Sequence, residues 1–464
     1  MQLPNRLKSP SLLQKFQWVT NPVAYMEKAV QQYPDIFTAD IVGFGDTVVL
    51  VNHPQGIQEL LTNDRKKLAA VAKVNKIIQP LLGEFSIGLL EGTHHNRRRQ
   101  LLMPAFHGER MRVYGQLICE LTEKILSQLS VEKPFFVART VMQDISLQVI
   151  LQAVVGLYDE ERCQIFKHLI TQLVDIFHSP LTSSLLFFPF LQKDFGTWSP
   201  WGKFVHQRQK VDEFLYAEIA ERRQNPNPDR TDILSLLIEA RDENGQSMTD
   251  QELRDELITL IFTGYETTAI AIAWGLYWIH KKPQVHEKIL QELDSLGDSP
   301  DPVSIVRLPY LTAVCNETLR IYPVGMVTLP RVVQESFEIL GHRLDPGTVV
   351  TGCIYLTHHR EDLYPQPKQF KPERFLERQF SHYEFLPFGG GARRCIGEAL
   401  AMFEMKLVLA TILSRYQLAL IDKRPELPQR SIFMLAPANG VKMVIRGQRV
   451  SVESQLIMTG TPNS

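Results

Sequence analysis

The spacing of apolar and polar residues along the chain predicts a mainly helical protein with a smaller β portion. Residues 20–60 combine a helical pattern, from Pro22 to Gln32, with an apolar run from Thr47 to Val51 that is typical of a buried strand. Patterning over residues 105–300 is mostly helical, and the last third mixes helices with short strands such as Thr348 to Ile354. Because the strand patterns come from both ends of the chain, we expect one compact unit.

One helix in the middle of the chain is unusually long. Thr249 and Glu252 form a capping-box pattern at its start, and the basic pair before Pro283 marks its end. About 30 residues at 1.5 Å each give a rod of roughly 45 Å. From Ala269 to Ile279 nearly every residue is apolar, so we expect burial on all sides.

A polar interruption lies in the middle of this helix, where Gly264, Glu266, Thr267 and Thr268 break the apolar pattern. Glycine costs about 1 kcal/mol in a helix interior, and a buried carboxylate is expensive without partners. From the residues alone, two interpretations stay open. One is a kinked helix with a locally satisfied polar patch, and the other is a functional site.

Composition and charge exclude several classes of protein. The 464 residues are 44% hydrophobic and 22% charged, with a formal net charge of −1, whereas a nucleic-acid-binding protein usually has a basic excess. No run reaches the roughly 18 apolar residues that suggest a membrane span, and the first ten residues lack the apolar core of a signal peptide. We therefore expect a soluble, cytoplasmic protein that binds no nucleic acid and has no integral membrane segment.

The five cysteines are Cys119, Cys163, Cys315, Cys353 and Cys395. They are scattered, odd in number and without a CxxC pair, so neither a disulfide framework nor a zinc site is indicated. A lone cysteine is most often a buried apolar side chain, and we interpret the first four in this way.

The segment around the fifth cysteine, FGGGARRCIG from Phe388 to Gly397, carries more information. Its three successive glycines permit close approach of the backbone to something bulky and flat. Arg393, two residues before Cys395, is a permanent cation, and with oriented backbone N–H groups it would lower the pKa of the thiol. A phosphate-binding loop is the rival interpretation, but the segment has neither GK[ST] nor the glycine spacing of a dinucleotide-binding fold.

This segment matches FxxGxRxCxG, the haem-binding signature of the cytochrome P450 family. Glu317–Arg320 resembles the family's ExxR motif, Lys371–Phe375 its PERF segment, and Thr263–Thr268 the motif of its long central helix. The four motifs occur in the family's order, and the chain most resembles soluble bacterial members, cyanobacterial ones among them. The resemblance implies the cytochrome P450 fold in a single domain, 1–464, with haem b (iron protoporphyrin IX) between the central helix and the cysteine loop.

The resemblance also assigns residues to the haem. Cys395 would be the thiolate ligand of the iron, a ligand that favours O–O cleavage, and Phe388 would pack near the sulfur. Cationic or hydrogen-bonding partners of the haem propionates would be Arg331, Arg393, Arg99 and His95, the last at a position where tryptophan is common.

Other charged motif residues would lie behind the haem or at the surface. Glu317, Arg320 and Arg374 resemble the family's buried Glu–Arg–Arg cluster, which is structural rather than catalytic. Arg97 and Arg98 could be surface residues that face a redox partner.

Glu266 and Thr267 resemble the acid–alcohol pair with which the family delivers protons during its reaction with O2. The pair favours an electron-fed monooxygenase over family members that act on peroxides, although Thr263 stands where alanine is common. No flavin or ferredoxin domain follows Gly397, so the resemblance implies a separate electron donor of ferredoxin or flavodoxin type. A non-catalytic haem sensor or carrier would share Cys395 but would have no use for the pair.

A substrate pocket would draw, by the same resemblance, on several segments of the chain. The residues assigned to it are Ile77, Leu81, Thr263, Gly264, Val327, Leu329, Phe433 and Met434. Their mostly apolar character suggests hydroxylation or epoxidation of an apolar substrate such as a fatty acid, alkane or terpenoid.

Overall fold

The structure, a computed structural model, describes residues 3–106, 108–129, 135–177, 182, 184–227, 229–241, 245–297 and 300–449. The α-helices of these ranges, numbered α1 to α18 in chain order, are Ser11–Thr20, Pro22–Gln32, Pro54–Thr62, Ala72–Asn75, Gln79–Leu82, Gly92–Leu102, Glu109–Ser127, Ala138–Ile150, Glu160–Asp175, Pro200–Gln224, Ile233–Glu239, Asp250–Lys281, Pro283–Asp294, Pro302–Val306, Pro309–Ile321, Ile354–His358, Arg374–Glu377 and Glu398–Arg415. The strands β1 to β12 are Ile36–Ala39, Val48–Val51, Leu68–Ala69, Phe136–Val137, Arg331–Val333, Phe337–Ile339, His342–Leu344, Val349–Gly352, Tyr416–Leu420, Pro428–Ser431, Met434–Pro437 and Lys442–Gln448. The prediction of a mainly helical protein with a smaller β portion is confirmed.

The main sheet is built from both ends of the chain, as the strand patterns predict. Its strand order is β1-β2-β8-β5-β3. Strands β2 and β8 are parallel, and the other neighbours are antiparallel. Leu68 lies opposite Val333 and Arg331 lies opposite Val350. The chain that follows α3 therefore lies beside the strand that begins with Arg331.

The long central helix is α12, Asp250–Lys281, and its capping box is present. Thr249 Oγ1 accepts from the N–H of Glu252 at 3.2 Å, while the Glu252 carboxylate accepts from the N–H of Thr249 at 2.9 Å. Helices α8, α10, α15 and α18 contact α12. By length and hydropathy α12 could cross a membrane, but 83% of its apolar window is buried inside the protein. Its apolar character is therefore that of a core helix.

Helix α8 approaches α12 closely at a glycine. A Cβ atom on Gly264 would lie only 2.7 Å from Cδ1 of Ile150. Ile150 therefore packs directly against the backbone of Gly264. Helix α8 then continues into a π-helical turn, Leu151–Val155, which ends at the left-handed Gly156 with φ 72°.

The four cysteines that we interpreted as packing residues do pack into the protein. Cys163, Cys315 and Cys353 are buried, and Cys119 is half-buried. Burial raises the pKa of each of these thiols, so they stay protonated near neutral pH.

Candidate active site

A cavity of about 420 Å³ lies between α12 and the loop that carries Cys395. Its volume is within the range of small-molecule sites, about 300–1,000 Å³. Helix α12 contributes Leu260, Thr263, Gly264, Thr267, Thr268 and Ala271, and the loop contributes Pro387, Phe388, Gly389, Arg393, Cys395, Ile396 and Gly397. We call this space the central cavity.

The Cys395 side chain is exposed to the central cavity, and protein surrounds its other sides. The N–H of Cys395 donates to the carbonyl of Phe388 at 2.9 Å. The sulfur accepts from the N–H groups of Gly397 and Glu398, at the start of α18, where a helix favours negative charge.

The pKa of the Cys395 thiol is raised, because burial outweighs these N–H groups and the nearby Arg99. We expected oriented N–H groups and Arg393 to lower it. The N–H groups do act in that direction, but the cation that helps them is Arg99 and burial decides the net direction. The physical reason is desolvation of the thiolate. Coordination to a metal ion would reverse this balance, since a coordinating thiol is deprotonated outright.

The loop glycines serve a contact with the protein itself. Gly389 and Gly391 have left-handed φ values of 67° and 64°. A Cβ on Gly390 would lie 2.5 Å from Cδ1 of Leu61, near the end of α3. The glycines thus let the cysteine loop press against α3, a neighbour that the sequence pattern did not indicate.

Three of the predicted propionate-binding residues lie close together. After burial, the charges of Arg393, Arg65 and Arg99 are the main causes that lower the pKa of His95, to about 3. The imidazole is therefore neutral, among positive charges. Arg65, which we did not predict, belongs to this group, and its backbone φ of 69° turns the chain there. A concentration of positive charge beside the cavity suits the two carboxylates of a haem.

These arginines also brace the protein around the cavity. Arg393 donates to the carbonyls of Ile87, Ala70 and Leu90, at 3.0, 3.2 and 2.5 Å. Arg99 Nη1 donates to the carbonyl of Arg394 at 2.6 Å, next to the cysteine. The segment before α6 and the cysteine loop are thereby tied together.

Arg331, the fourth predicted propionate partner, is buried and does not line the central cavity. Its Nε and Nη2 donate to the Asp64 carboxylate at 3.2 and 2.9 Å, and its Nη1 donates to the carbonyl of Leu329. The sequence showed no sign of Asp64, because 267 residues separate the two partners.

Arg98 corrects an expectation, since it is not a surface residue. Its Nη1 and Nη2 donate to Glu256 and Glu252, both at 2.9 Å, and its side chain is 6% exposed. Burial raises the pKa of Glu256 to about 7. Arg98 anchors α6 to α12 and cannot face a redox partner. Arg97 is half-buried.

The acid–alcohol pair is divided between two environments. Thr267 lines the central cavity, and its Oγ1 donates to the carbonyl of Thr263 at 2.6 Å. Glu266 is buried, and its carboxylate forms an ion pair with Arg139 and accepts from Gln143 at 2.5 Å. Arg139 and Gln143 are four residues apart and therefore lie on one face of α8. Glu266 is turned toward that face and not toward the cavity.

The Glu317, Arg320 and Arg374 side chains meet behind the cysteine loop. Arg320 Nε and Nη2 donate to the two Glu317 oxygens at 2.7 and 3.0 Å, and Arg374 Nε donates to Glu317 at 3.2 Å. Arg320 also donates to the carbonyls of His358 and Pro367, both at 2.8 Å. Arg320 is fully buried and each of its three guanidinium nitrogens donates to a protein group, which suits a structural role.

Four of the eight residues predicted for the substrate pocket border the central cavity. Thr263, Gly264, Val327 and Leu329 line the central cavity, whereas Ile77, Leu81, Phe433 and Met434 do not. Leu81 lies in the main core and the other three pack against it. The cavity is lined instead by residues that we did not assign to it: Phe106, Ile150, Val154, Leu319, Val324, Leu400 and Met405. Helical periodicity distinguishes an inward face but not which inward residue borders a cavity.

The donor set fits a haem. In the part of the chain that the structure describes, no three His, Cys, Asp or Glu residues come together to hold a bare metal ion. A single sulfur that faces an apolar cavity suits a metal already held by a macrocycle. Arg393 lines the cavity, and the neighbouring His95 and Arg99 add to the cationic and hydrogen-bonding groups that propionates need.

Comparison with known proteins agrees with this geometry. The model of the family described as cytochrome P450 matches residues 4–443. Cytochrome P450 135B1 of Mycobacterium tuberculosis is 33% identical over 462 residues, covering 99% of this chain and 95% of that protein. Cytochrome P450 135A1 of the same species is 30% identical over 452 residues, covering 97% of this chain and 95% of that protein.

Solved structures share the fold. Cyanobacterial CYP120A1 with bound retinoic acid superposes with a TM-score of 0.83 at 23% identity, covering 97% of this chain and 100% of that one. The heme domain of cytochrome P450DA superposes with a TM-score of 0.83 at 20% identity, covering 96% of this chain and 98% of that one.

Proposed function

The chain belongs to the cytochrome P450 family, and from this membership we propose that Cys395 is the sulfur ligand of haem b. Members of the family are haem-thiolate monooxygenases, and the protein is one of them. The observation that carries the assignment of Cys395 is its exposure to the central cavity, opposite Thr267.

The protein's own residues would hold the haem from two sides. Cys395 would bind the iron, and the N–H groups of Gly397 and Glu398 would stabilise the charge on its sulfur. His95, Arg99 and Arg393 would bind the propionates, and Arg331, which Asp64 holds behind the cavity lining, would add the remaining N–H of its Nη1. Phe388 would pack beside the sulfur. When bound, the haem supplies the iron centre at which O2 is reduced and split.

Glu266 and Thr267, on the side of the cavity that α12 forms, would supply protons for the reaction with O2. The Thr267 hydroxyl already lines the cavity, but the Glu266 carboxylate is held by Arg139 and Gln143. To relay a proton to Thr267 Oγ1, the carboxylate would have to exchange one of these partners for water, take up a proton through that water and then pass it on. Arg139 would thereby hold the Glu266 carboxylate turned away from the cavity between turnovers.

The lining of the central cavity favours an apolar substrate. On the side of the cavity that faces away from the cysteine loop, the hydroxyls of Thr263 and Thr268 donate to carbonyls within α12, at 2.7 and 2.8 Å. Their neighbours there, Ile150, Val154, Leu260 and Ala271, are apolar. Such a surface gives little polar orientation and binds by burial of apolar area. We therefore propose hydroxylation or epoxidation of a fatty acid, alkane or terpenoid.

The electrons would come from a separate protein of ferredoxin or flavodoxin type. The chain itself would be a single domain that works in the cytoplasm. Free thiols at all five cysteines are consistent with a reducing compartment.

The absorption spectrum of the dithionite-reduced, CO-bound protein tests the assignment of Cys395. The wild type is expected to show a strongly red-shifted Soret band, and Cys395→Ala is expected to lose it. Cys119→Ala, at a half-buried packing cysteine, is the control and keeps the band. A histidine-like Soret position in the wild type would overturn the assignment.

A panel of fatty acids, alkanes and terpenes then tests the substrate class. Binding is scored by displacement of the water ligand of the iron, which shifts the Soret band. Apolar compounds are expected to give the shift, and polar analogues of similar size are not. The reverse order would contradict the proposed class.

A further inference from the structure

Asp64 joins three parts of the chain that meet beside the central cavity. It follows α3, and its side chain is only 4% exposed. Its two carboxylate oxygens accept from Arg331, at 3.2 and 2.9 Å, and Oδ2 also accepts from the N–H of Ala392 at 2.9 Å. Ala392 lies in the cysteine loop, three residues before Cys395.

The main sheet determines this position. Strand β3 begins at Leu68 and pairs with β5, the strand that begins at Arg331. The turn between α3 and β3 is therefore held beside Arg331. It is closed by a hydrogen bond from the N–H of Arg65 to the carbonyl of Leu68, at 2.9 Å.

The cysteine loop is shaped to admit this carboxylate. A Cβ on Gly391 would lie 2.8 Å from Asp64 Oδ2, so a side chain at 391 would displace the acid. The left-handed φ of Gly391 also orients the loop so that the following N–H points at Asp64. The same atom thus touches a proposed propionate partner and the loop of the proposed iron ligand.

We propose that Asp64 is a positioning residue of the haem site, whose one carboxylate holds Arg331 and the Cys395 loop at a fixed separation. Charge-assisted hydrogen bonds to a buried carboxylate are stronger and more directional than neutral ones. Removing the negative charge would leave Arg331 buried without its partner, which is strongly unfavourable. The inference rests on the proposed function, because it takes Arg331 and Cys395 as partners of the haem.

Two variants separate the two contacts. Asp64→Asn keeps an oxygen that can accept from Ala392 and loses the charge that pairs with Arg331. Asp64→Glu keeps the charge, but its longer side chain must leave the space beside Gly391. Both are compared as haem-loaded proteins by the rate of haem transfer to excess apomyoglobin and by the reduction potential of the iron.

Both variants are expected to release haem at least about tenfold faster than the wild type. Asp64→Asn should also raise the reduction potential, because loss of a nearby negative charge favours the reduced iron. Asp64→Glu should leave the potential near that of the wild type. If only one of the two variants folds, the rate at which that variant releases haem decides for or against the proposal.

Asp232→Asn is the matched control. Asp232 is equally buried and pairs with Arg222 at 2.9 Å, away from the central cavity. The Asp232→Asn variant should have a lower melting temperature, with the haem-release rate at 25 °C and the reduction potential of the iron unchanged. The proposal would be overturned if the Asp64 variants released haem at the wild-type rate, or if Asp232→Asn released haem as fast as the Asp64 variants. The CO spectrum of the wild type tests the proposed function separately.

Discussion

At the scale of single residues, Glu404 is the buried carboxyl group with the clearest consequence for stability. It lines the central cavity from α18 and accepts from Ser146 Oγ at 2.5 Å. Burial raises its pKa from 4.5 to about 7. Between these two pH values the unfolded chain releases the proton and the folded protein keeps it. The contribution of Glu404 to stability is therefore present below pH 4.5 and is lost as the pH rises to 7.

Replacing Glu404 by glutamine should remove this loss. Each pKa unit corresponds to about 1.4 kcal/mol, so the full effect is about 3 kcal/mol. We expect the thermal midpoint of Glu404→Gln, relative to the wild type, to rise steadily from pH 5 to pH 7 and then level off. Glu287→Gln, at an exposed glutamate of α13, should follow the wild type at every pH. A difference that does not change with pH would contradict the assignment.

Thr267 and Thr268 form a natural pair for testing the proton-delivery role. Both line the central cavity, and each hydroxyl donates to the carbonyl four residues earlier, at 2.6 and 2.8 Å. Only Thr267 follows the acid in the motif. In Thr267→Ala, electrons should be diverted to hydrogen peroxide, with product per electron reduced by at least about tenfold, because a positioned proton donor typically contributes about 10²–10⁴-fold to the rate.

The companion variant Thr268→Ala should remain coupled, with product per electron within about twofold of the wild type. Peroxide and product are measured together against consumption of the electron donor. Equal uncoupling in both variants would show that the hydroxyls only shape the cavity.

At the scale of the secondary-structure elements, the contact between α8 and α12 depends on Gly264. Alanine is a better helix former by about 1 kcal/mol, but its Cβ would lie 2.7 Å from Cδ1 of Ile150. Overpacking typically costs 1–3 kcal/mol. We expect Gly264→Ala to lower the thermal midpoint, with a net loss of about 1 kcal/mol.

Ile150→Val should rescue part of this loss, because it removes the Cδ1 atom and leaves only Cγ1, 3.0 Å from the new methyl group. Gly275→Ala is the control in the same helix, since its Cβ would lie 3.1 Å from Leu409 and needs only a small shift. A Gly264→Ala variant that is more stable than the wild type would show that α8 can move away freely.

At the scale of the whole molecule, the N-terminal strands and the cysteine half form one folding unit. Strand β2 pairs with β8 over its whole length. Met26, Phe37 and Leu50 pack in one cluster with Met326 and Tyr355, from the far end of the chain. The sheet is therefore shared between segments about 300 residues apart.

A chain that begins at residue 54 should consequently fail to fold. It would lose β1 and β2 and leave β8 without its parallel neighbour. We expect no cooperative thermal unfolding and no red-shifted CO band from this shortened chain. A normal band and a cooperative transition would show that the sheet is not required for the haem site.

The fold and the cysteine could be predicted from the sequence because their signals are local. The capping box of α12, the apolar run of β2 and the glycines before Cys395 each lie within a few residues. Local patterns determine helix ends, strand runs and permitted dihedrals, because these depend on neighbours along the chain.

Only the tertiary structure could show the contacts between residues that are far apart in the sequence. Arg139 turns Glu266 away from the cavity, Ile150 occupies the space left by Gly264, and Asp64 holds Arg331. Nothing in the residues next to a carboxylate states which distant cation will reach it. The sequence by itself determined the family, the helices and the sulfur ligand that we propose, whereas packing decided where the charges around the haem site point.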